Sequence, residues 1–356
     1  MKALWMVAEV SVIGRFLKKK FMELMLAYQA KQKHGLLDLE SMHPNPFIRN
    51  YNESIYFACL GHDSVSVIAR LSFRTGKYNE NWLMVHMPGQ GTWGFEDREL
   101  IQGRGFKQGT LQFQCVEPGS LWRIQYGGSV DKEDDEQDIS LDIQWTASSP
   151  IADFSEIGTF PKRLAEQIAS ESWTLEFFHR LKNLSAVHYE QGGTITGKIL
   201  FNGEQIDLHG VGIRDHSYGM RDWADFKRHF WCVGVLEDGR FFNFSIADYH
   251  FISDLKASFI VDGDSFITPF YSPGFADLNL GSDPLPMELE FYVTPEQDSE
   301  PILFKVHMDE LFHFRMDRGK YLIREARSSC SYGDTKGICI VEMGVDPKSH
   351  ENNSTH

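Results

Sequence analysis

Gly210-Val-Gly-Ile-Arg214-Asp215-His216-Ser-Tyr218-Gly219-Met-Arg221-Asp222-Trp223 is the stretch on which the reading of this chain turns. Five ionisable side chains, three glycines and two aromatics fall within fourteen residues, at the end of a strand-like run that starts at Ile206. Exposed surfaces spread charge among small polar residues, and cores avoid it. So dense a cluster, flanked by rings, fits a polar constellation in an apolar setting, where pKa values shift and ligands are recognised. Strand alternation places Val211, Ile213 and Asp215 on one face, with Gly210, Gly212, Arg214 and His216 on the other. If the apolar face fills a barrel, Asp215 points into its cavity and Arg214 lies behind it.

Outward from this stretch the chain is mainly β. Ile55–Leu60, Val65–Phe73, Trp82–Met87, Gly109–Cys115, Trp122–Tyr126 and Asp138–Trp145 are short β-type runs separated by turn signals such as Glu117-Pro-Gly119. The acidic run Asp131–Glu136 reads as a solvated hairpin tip. A helix is expected over about Pro161–Leu184, burying Leu164, Ile168, Leu175, Phe178 and Leu181. Ten further strand runs follow between Gly193 and Met343, with hairpin turns at Glu237-Asp-Gly239 and Val261-Asp-Gly263. The expected segments are an N-terminal helical segment (1–44), a first β domain (45–158), a linking helix (159–185), a second β domain (186–346) and a disordered tail (347–356). Two β-rich halves suggest a duplicated antiparallel barrel, an idea carried by architecture alone.

The composition narrows the function classes. Hydrophobic residues make up 42% of the 356, which allows a large core. Aromatics at 13% favour sheets and a ring-lined interior. A formal charge of −15, from 35 basic and 50 acidic residues, argues against a nucleic-acid partner. The five cysteines form no CxxC pair, so a disulfide framework is not expected and a reducing, cytoplasmic setting fits. The apolar segment before Arg15 is too short to span a bilayer, which needs about 20 residues. Residues 1–28 are read as an amphipathic helix docked on the body, with peripheral membrane contact as the competing reading.

A carboxyl group in an apolar cavity stays protonated near neutrality and can protonate an alkene, enol or ether oxygen. Asp215 is the candidate, with His216, Arg221 and Asp222 tuning it and Tyr218 and Trp223 stacking on substrate or on a developing cation. An Arg–Asp network tying strand ends together is an equal reading of the same spacing. His188-Tyr-Glu190-Gln191 offers an acid or base opposite Asp215, or simply a turn. Asp248 and His250 continue an apolar strand face, and Trp82, His86, Trp93 and Glu96 are candidate cavity-rim groups. The 14 histidines include no HExxH pair, and no metal site is expected. Dinucleotide, P-loop and nucleophile-elbow motifs are missing, and no cofactor is expected.

His188-Tyr-Glu-Gln191, Gly197, the Gly210–Trp223 stretch and Lys336-Gly337-Ile-Cys-Ile-Val-Glu342-Met-Gly344 together resemble a known superfamily. It is the carotenoid 1,2-hydratase/hydroxyneurosporene synthase-like and AttH-like group, in particular an uncharacterised branch with an Arg-Asp-His-Ser-Trp-Gly signature. The likeness covers roughly residues 50–345. It implies two lipocalin-like antiparallel β-barrel domains around a hydrophobic ligand cavity. It also implies hydration of isoprenoid double bonds or pericyclic cyclisation of polyenes, with Asp215 at the position of the proton donor. Tyr218 stands where Trp is usual, and Arg214 where the hydratase branch prefers an aromatic. The expectation is an enzyme acting on a hydrophobic unsaturated molecule without a cofactor. Asp215 donates the proton, His216 and Arg214 set its protonation, Glu190 or His188 is the base, and Tyr218, Trp223 and Trp231 line the cavity. The alternative is a lipocalin-type carrier without turnover, and a third is a structural or regulatory module with no enclosed apolar cavity.

Overall fold

In the computed structural model the described residues are 12–30, 35–43, 47–48, 50–75, 79–97, 105–157, 160–181, 186–278, 286–316 and 319–348. The expected tail lies almost wholly outside them, as does the start of the N-terminal segment.

Strands that turn alternate side chains into one shared core build the first sheet. It contains β1 (Tyr51–Gly61), β2 (Ser66–Arg74), β3 (Asn81–Met87), β4 (Gly91–Asp97), β5 (Lys107–Gln108), β6 (Leu111–Glu117), β7 (Leu121–Lys132), β8 (Asp135–Ala147), β9 (Ala152–Asp153), β10 (Val187–Phe201) and β11 (Glu204–Met220). The order is β4-β3-β2-β1-β11-β10-β8-β7-β6-β5, with β9 on β10, and Gly94↔Asp131 joins β4 to β7 and closes a barrel. Its interior is packed solid by Phe57, Phe113, Trp122, Ile143, Trp145 and their neighbours. The acidic run turns as expected, between Lys132 and Asp135.

The second sheet runs β15-β14-β13-β12-β19-β18-β17-β16. These are β12 (Phe226–Leu236), β13 (Phe241–Tyr249), β14 (Ile252–Asp262), β15 (Ser265–Ile267), β16 (Glu288–Val293), β17 (Ile302–Met316), β18 (Tyr321–Tyr332) and β19 (Thr335–Val345). Phe242 and Phe244 meet Phe304 and Phe291 from strands distant in the sheet order, so the sheet curls around its own ring-rich core. The chain is thus two large curled antiparallel sheets with few helices, the mainly-β fold expected.

The boundary between the halves differs from the expected one. The expected second domain, 186–346, takes in β10 and β11, yet these strands pair with β8 and β1 in the first sheet. The division falls between Met220 and Phe226, because Ile195, Ile199, Phe201 and Leu208 complete the first barrel's core. A third apolar layer lies between the sheets. Tyr56, Ala58, Leu60, Ile68, Trp82 and Ile213 from the first meet Val233, Phe241, Phe259, Phe312, Ile323 and Ile340 from the second. That layer explains why β1 is buried at every position: both of its faces are covered.

The long helix expected over 161–184 is two. Helix α3 (Phe160–Ser170) ends before Trp173, whose Nε1 donates to Ile168 O at 2.8 Å. Thr174 Oγ1 then accepts from Phe177 N and starts α4 (Leu175–Leu181). Ile168 is buried as expected, but Leu175 is 84% exposed, because as the first residue of the new helix it leaves the stripe. Helix α1 (Val12–Ala30) docks on α3 through Met22, and Lys19 pairs with Glu166 at 3.1 Å. Phe16, Leu17, Phe21 and Leu24 on α1 remain exposed. Among the described residues no helix is long and apolar enough to cross a membrane.

Candidate functional site

Backbone register decides what each residue of the Arg-Asp-His stretch touches. Tyr56 of β1 lies opposite Asp215 of β11, which lies opposite Glu190 of β10. Arg70 and Trp82 extend the same row across β2 and β3. A second row crosses the other sheet: Glu325 of β18, Glu342 of β19, Trp231 of β12 and Ser245 of β13. The rows face one another, and the Tyr56 hydroxyl donates to Glu325 Oε2 at 3.0 Å. In the other direction Trp231 Nε1 donates to Glu190 Oε1 at 2.8 Å. Between them is a cavity of about 310 Å³, towards the small end for ligand pockets.

On the first-sheet wall His188 Nε2 is hydrogen-bonded to Asp215 Oδ2 and lies 3.7 Å from Glu190 Oε1. Phe154 stacks on the imidazole at 4.3 Å and fixes its plane. Burial pulls the His188 pKa down, but the charges of Asp215 and Glu190 outweigh it and raise it overall. Glu190 is fully buried behind this pair, and Asn243 and Trp231 both donate to it. Burial, opposed by His188, pushes its carboxyl up to about 7.

The opposite wall holds a carboxyl pair that the sequence reading missed. Burial, and then the charge of Glu342, lift Glu325 well above the usual carboxylate range. Burial would raise Glu342 too, yet the His229 hydrogen bond and charge bring it below its ordinary value. Glu325 and Glu342 stand side by side across β18 and β19, and Glu342 bonds His229 Nε2. His229 Nδ1 is in turn 2.6 Å from the Tyr321 hydroxyl. The available signal was a Glu interrupting each alternating apolar run, Tyr321-Ile323-Glu325 and Ile338-Ile340-Glu342.

Arg214 and His216 do not touch Asp215. Both point into the first barrel, the face opposite the cavity, because adjacent strand residues alternate. Arg214 Nη1 is bidentate to Glu40 at 2.7 and 2.8 Å, Nη2 donates to Gln191 Oε1 at 2.7 Å, and Trp122, Trp145 and Tyr189 surround it. His216 bonds Glu53 at 3.1 Å and the Tyr189 hydroxyl at 2.8 Å. Glu40 also accepts from Trp122 Nε1, so the segment around α2 (Leu36–Leu39) is bolted to the barrel by these groups. Tyr218 joins them, stacked on His43 at 3.7 Å rather than lining the cavity.

The alternation of Asp215 against Arg214 holds, but the apolar face looks at the second sheet. The barrel interior takes the glycine face instead, since Trp145 fills the space over Gly212. Of the other candidates, Arg221, Trp223, Trp231 and Trp82 line the cavity. Asp222 instead accepts from Asn50 and caps Ala224, and Asp248 pairs with Arg228 at 2.8 Å. His250 pairs with Asp346, and Trp93 lies in the first barrel's core. Among the described residues two groups bring possible ligand atoms within 4.8 Å of one another, His188–Glu190–Asp215 and His43–Glu53–His216. In both, a histidine nitrogen already bonds a carboxylate.

Solved structures share this architecture. An AttH-like protein from Nitrosomonas europaea superposes with a TM-score of 0.53 at 10% identity, covering 84% of this chain and 93% of its own. Kievitone hydratase from Nectria haematococca gives 0.50 at 9% identity, covering 90% and 97%. Identities this low establish a common fold and no more. No curated protein matches the chain in sequence. Residues 37–345 match the model of a family described as a domain of unknown function, DUF7064, and the chain belongs to that family.

Proposed function

We propose that this chain is an enzyme that acts on a hydrophobic unsaturated small molecule (an isoprenoid, polyene or lipid) by acid-catalysed hydration, isomerisation or cyclisation. The supporting observation is the meeting of two proton-handling clusters across one aromatic-walled cavity. His188–Asp215 stands on one sheet and Glu325–Glu342–His229 on the other. The proton held by the His188–Asp215 pair passes from Asp215 to one alkene carbon, and the other carbon becomes a cation. The Trp231 ring on the cavity lining stabilises that cation. In hydration, water adds and releases its proton to ionised Glu342. In isomerisation or cyclisation the cation itself loses a proton there. Return of that proton to the donor pair through solvent closes the cycle. Glu190, one layer back, positions His188 and buffers its charge. The fold shared with kievitone hydratase supports the reading only as analogy.

Organic extraction of protein purified from its native source supplies the ligand for the test. Incubated in labelled water, a hydratase incorporates both deuterium and heavy oxygen, an isomerase or cyclase deuterium alone. Asp215→Asn is expected to bind the same ligand and to lose at least about 100-fold in incorporation rate. Undiminished incorporation in that variant removes Asp215 as donor. A bound ligand with no incorporation by the wild type identifies a carrier instead.

A further inference from the structure

We propose that the substrate is an amphipathic acid, an unsaturated apolar body with one carboxylate that Arg221 holds. The inference rests on the enzymatic reading above and specifies the polar end of the ligand. Arg221 follows β11 directly and lines the cavity beside Trp223, Phe226 and Tyr249. Its guanidinium lies 5.7 Å from the Trp223 ring centre. Among the described residues it makes no ion pair and no side-chain hydrogen bond.

The nearby carboxylates are committed elsewhere. Asp222 serves Asn50 and Ala224, Asp215 serves His188, and Glu342 serves His229. Arg214 and Arg70 differ from Arg221 in having acceptors: Glu40 and Gln191 for the first, the Glu80 carbonyl at 3.0 Å for the second. An unmatched guanidinium on a cavity wall calls for an acceptor from outside. A carboxylate matches the planar fork of a guanidinium and offsets the cost of keeping it among rings. Arg221 and Arg70 also repel one another, and Arg221 opposes protonation of His188.

The test compares farnesoate with its methyl ester and with farnesol, by quenching of tryptophan fluorescence at pH 8. Wild type should bind the acid at least about ten-fold more tightly than either neutral analogue. Arg221→Gln should abolish that preference while keeping ester affinity within about two-fold, and Arg221→Lys should retain some of it. Asp215→Asn should leave the preference intact. Equal affinity for acid and ester in the wild type, or an unchanged preference in Arg221→Gln, overturns the inference and spares the enzymatic reading. Failure of all three molecules to bind overturns the inference, while label incorporation into the extracted ligand still decides the enzymatic reading. Normal acid-selective binding without label incorporation overturns the enzymatic reading alone.

Discussion

Glu190 shows how much one buried carboxyl contributes to the behaviour of the molecule. Its pKa, pushed up to about 7 by burial, exceeds that of the unfolded chain. Between roughly pH 4.5 and 7 the folded state therefore holds a proton that the unfolded state has released, and stability falls as pH rises through that window. Glu190→Gln should flatten this stretch of a urea-midpoint-against-pH profile and remove a penalty on the order of 3 kcal/mol above pH 7. An unchanged slope would mean that another group carries the titration. Arg214 predicts the opposite sign. Arg214→Met leaves Glu40 buried without its cation and should cost about 3–5 kcal/mol in urea unfolding. Folded protein should still bind ligand, since Arg214 faces away from the cavity. Alternation made Asp215 and Arg214 legible as back-to-back residues. It did not reveal Glu325 and Glu342, whose importance comes from partners on other strands rather than from sequence neighbours.

Single elements carry their own signals, and β11 is the clearest. Its glycines were readable as special positions, but the reason for them is packing. A Cβ on Gly212 would sit 2.3 Å from Trp145 Cδ1, and one on Gly210 would sit 2.0 Å from the Leu60 carbonyl oxygen. Gly212→Ala should therefore destabilise by about 1–3 kcal/mol in chemical denaturation. Adding Trp145→Phe should recover some of that loss. A neutral Gly212→Ala would show that Trp145 moves freely. The helix break at Trp173–Thr174 was hidden because periodicity carries through it, whereas the capping hydroxyl of Thr174 acts only locally. Strand β17 is long and unbroken from Ile302 to Met316, with a shift in pairing between Met308 and Glu310.

Across the whole molecule, the proposed site depends on two sheets meeting. Tyr56 and Glu325 are 269 residues apart in sequence yet hydrogen-bonded, and no local pattern encodes such a contact. The mainly-β class could be read from strand periodicity. The cavity's place between the sheets could not, because it follows from the tight filling of the first barrel. Glu342→Gln tests the joint site: turnover should fall at least about ten-fold with ligand affinity retained. Combined with Asp215→Asn, the losses should be well short of multiplicative, because the two groups serve successive steps of one cycle and only the slower step limits turnover. Fully multiplicative losses would separate the two walls into independent roles. Strands β10 and β11 rejoin the first barrel after the helical excursion, so the seam of the molecule runs through residues 221–225. A gene divided at the helices would tear a pair of staves from the cask they close. One divided in the seam would break the chain at Arg221 and Trp223, the wall proposed to hold a ligand's carboxylate. A break at that joint would therefore cost the proposed specificity along with the architecture.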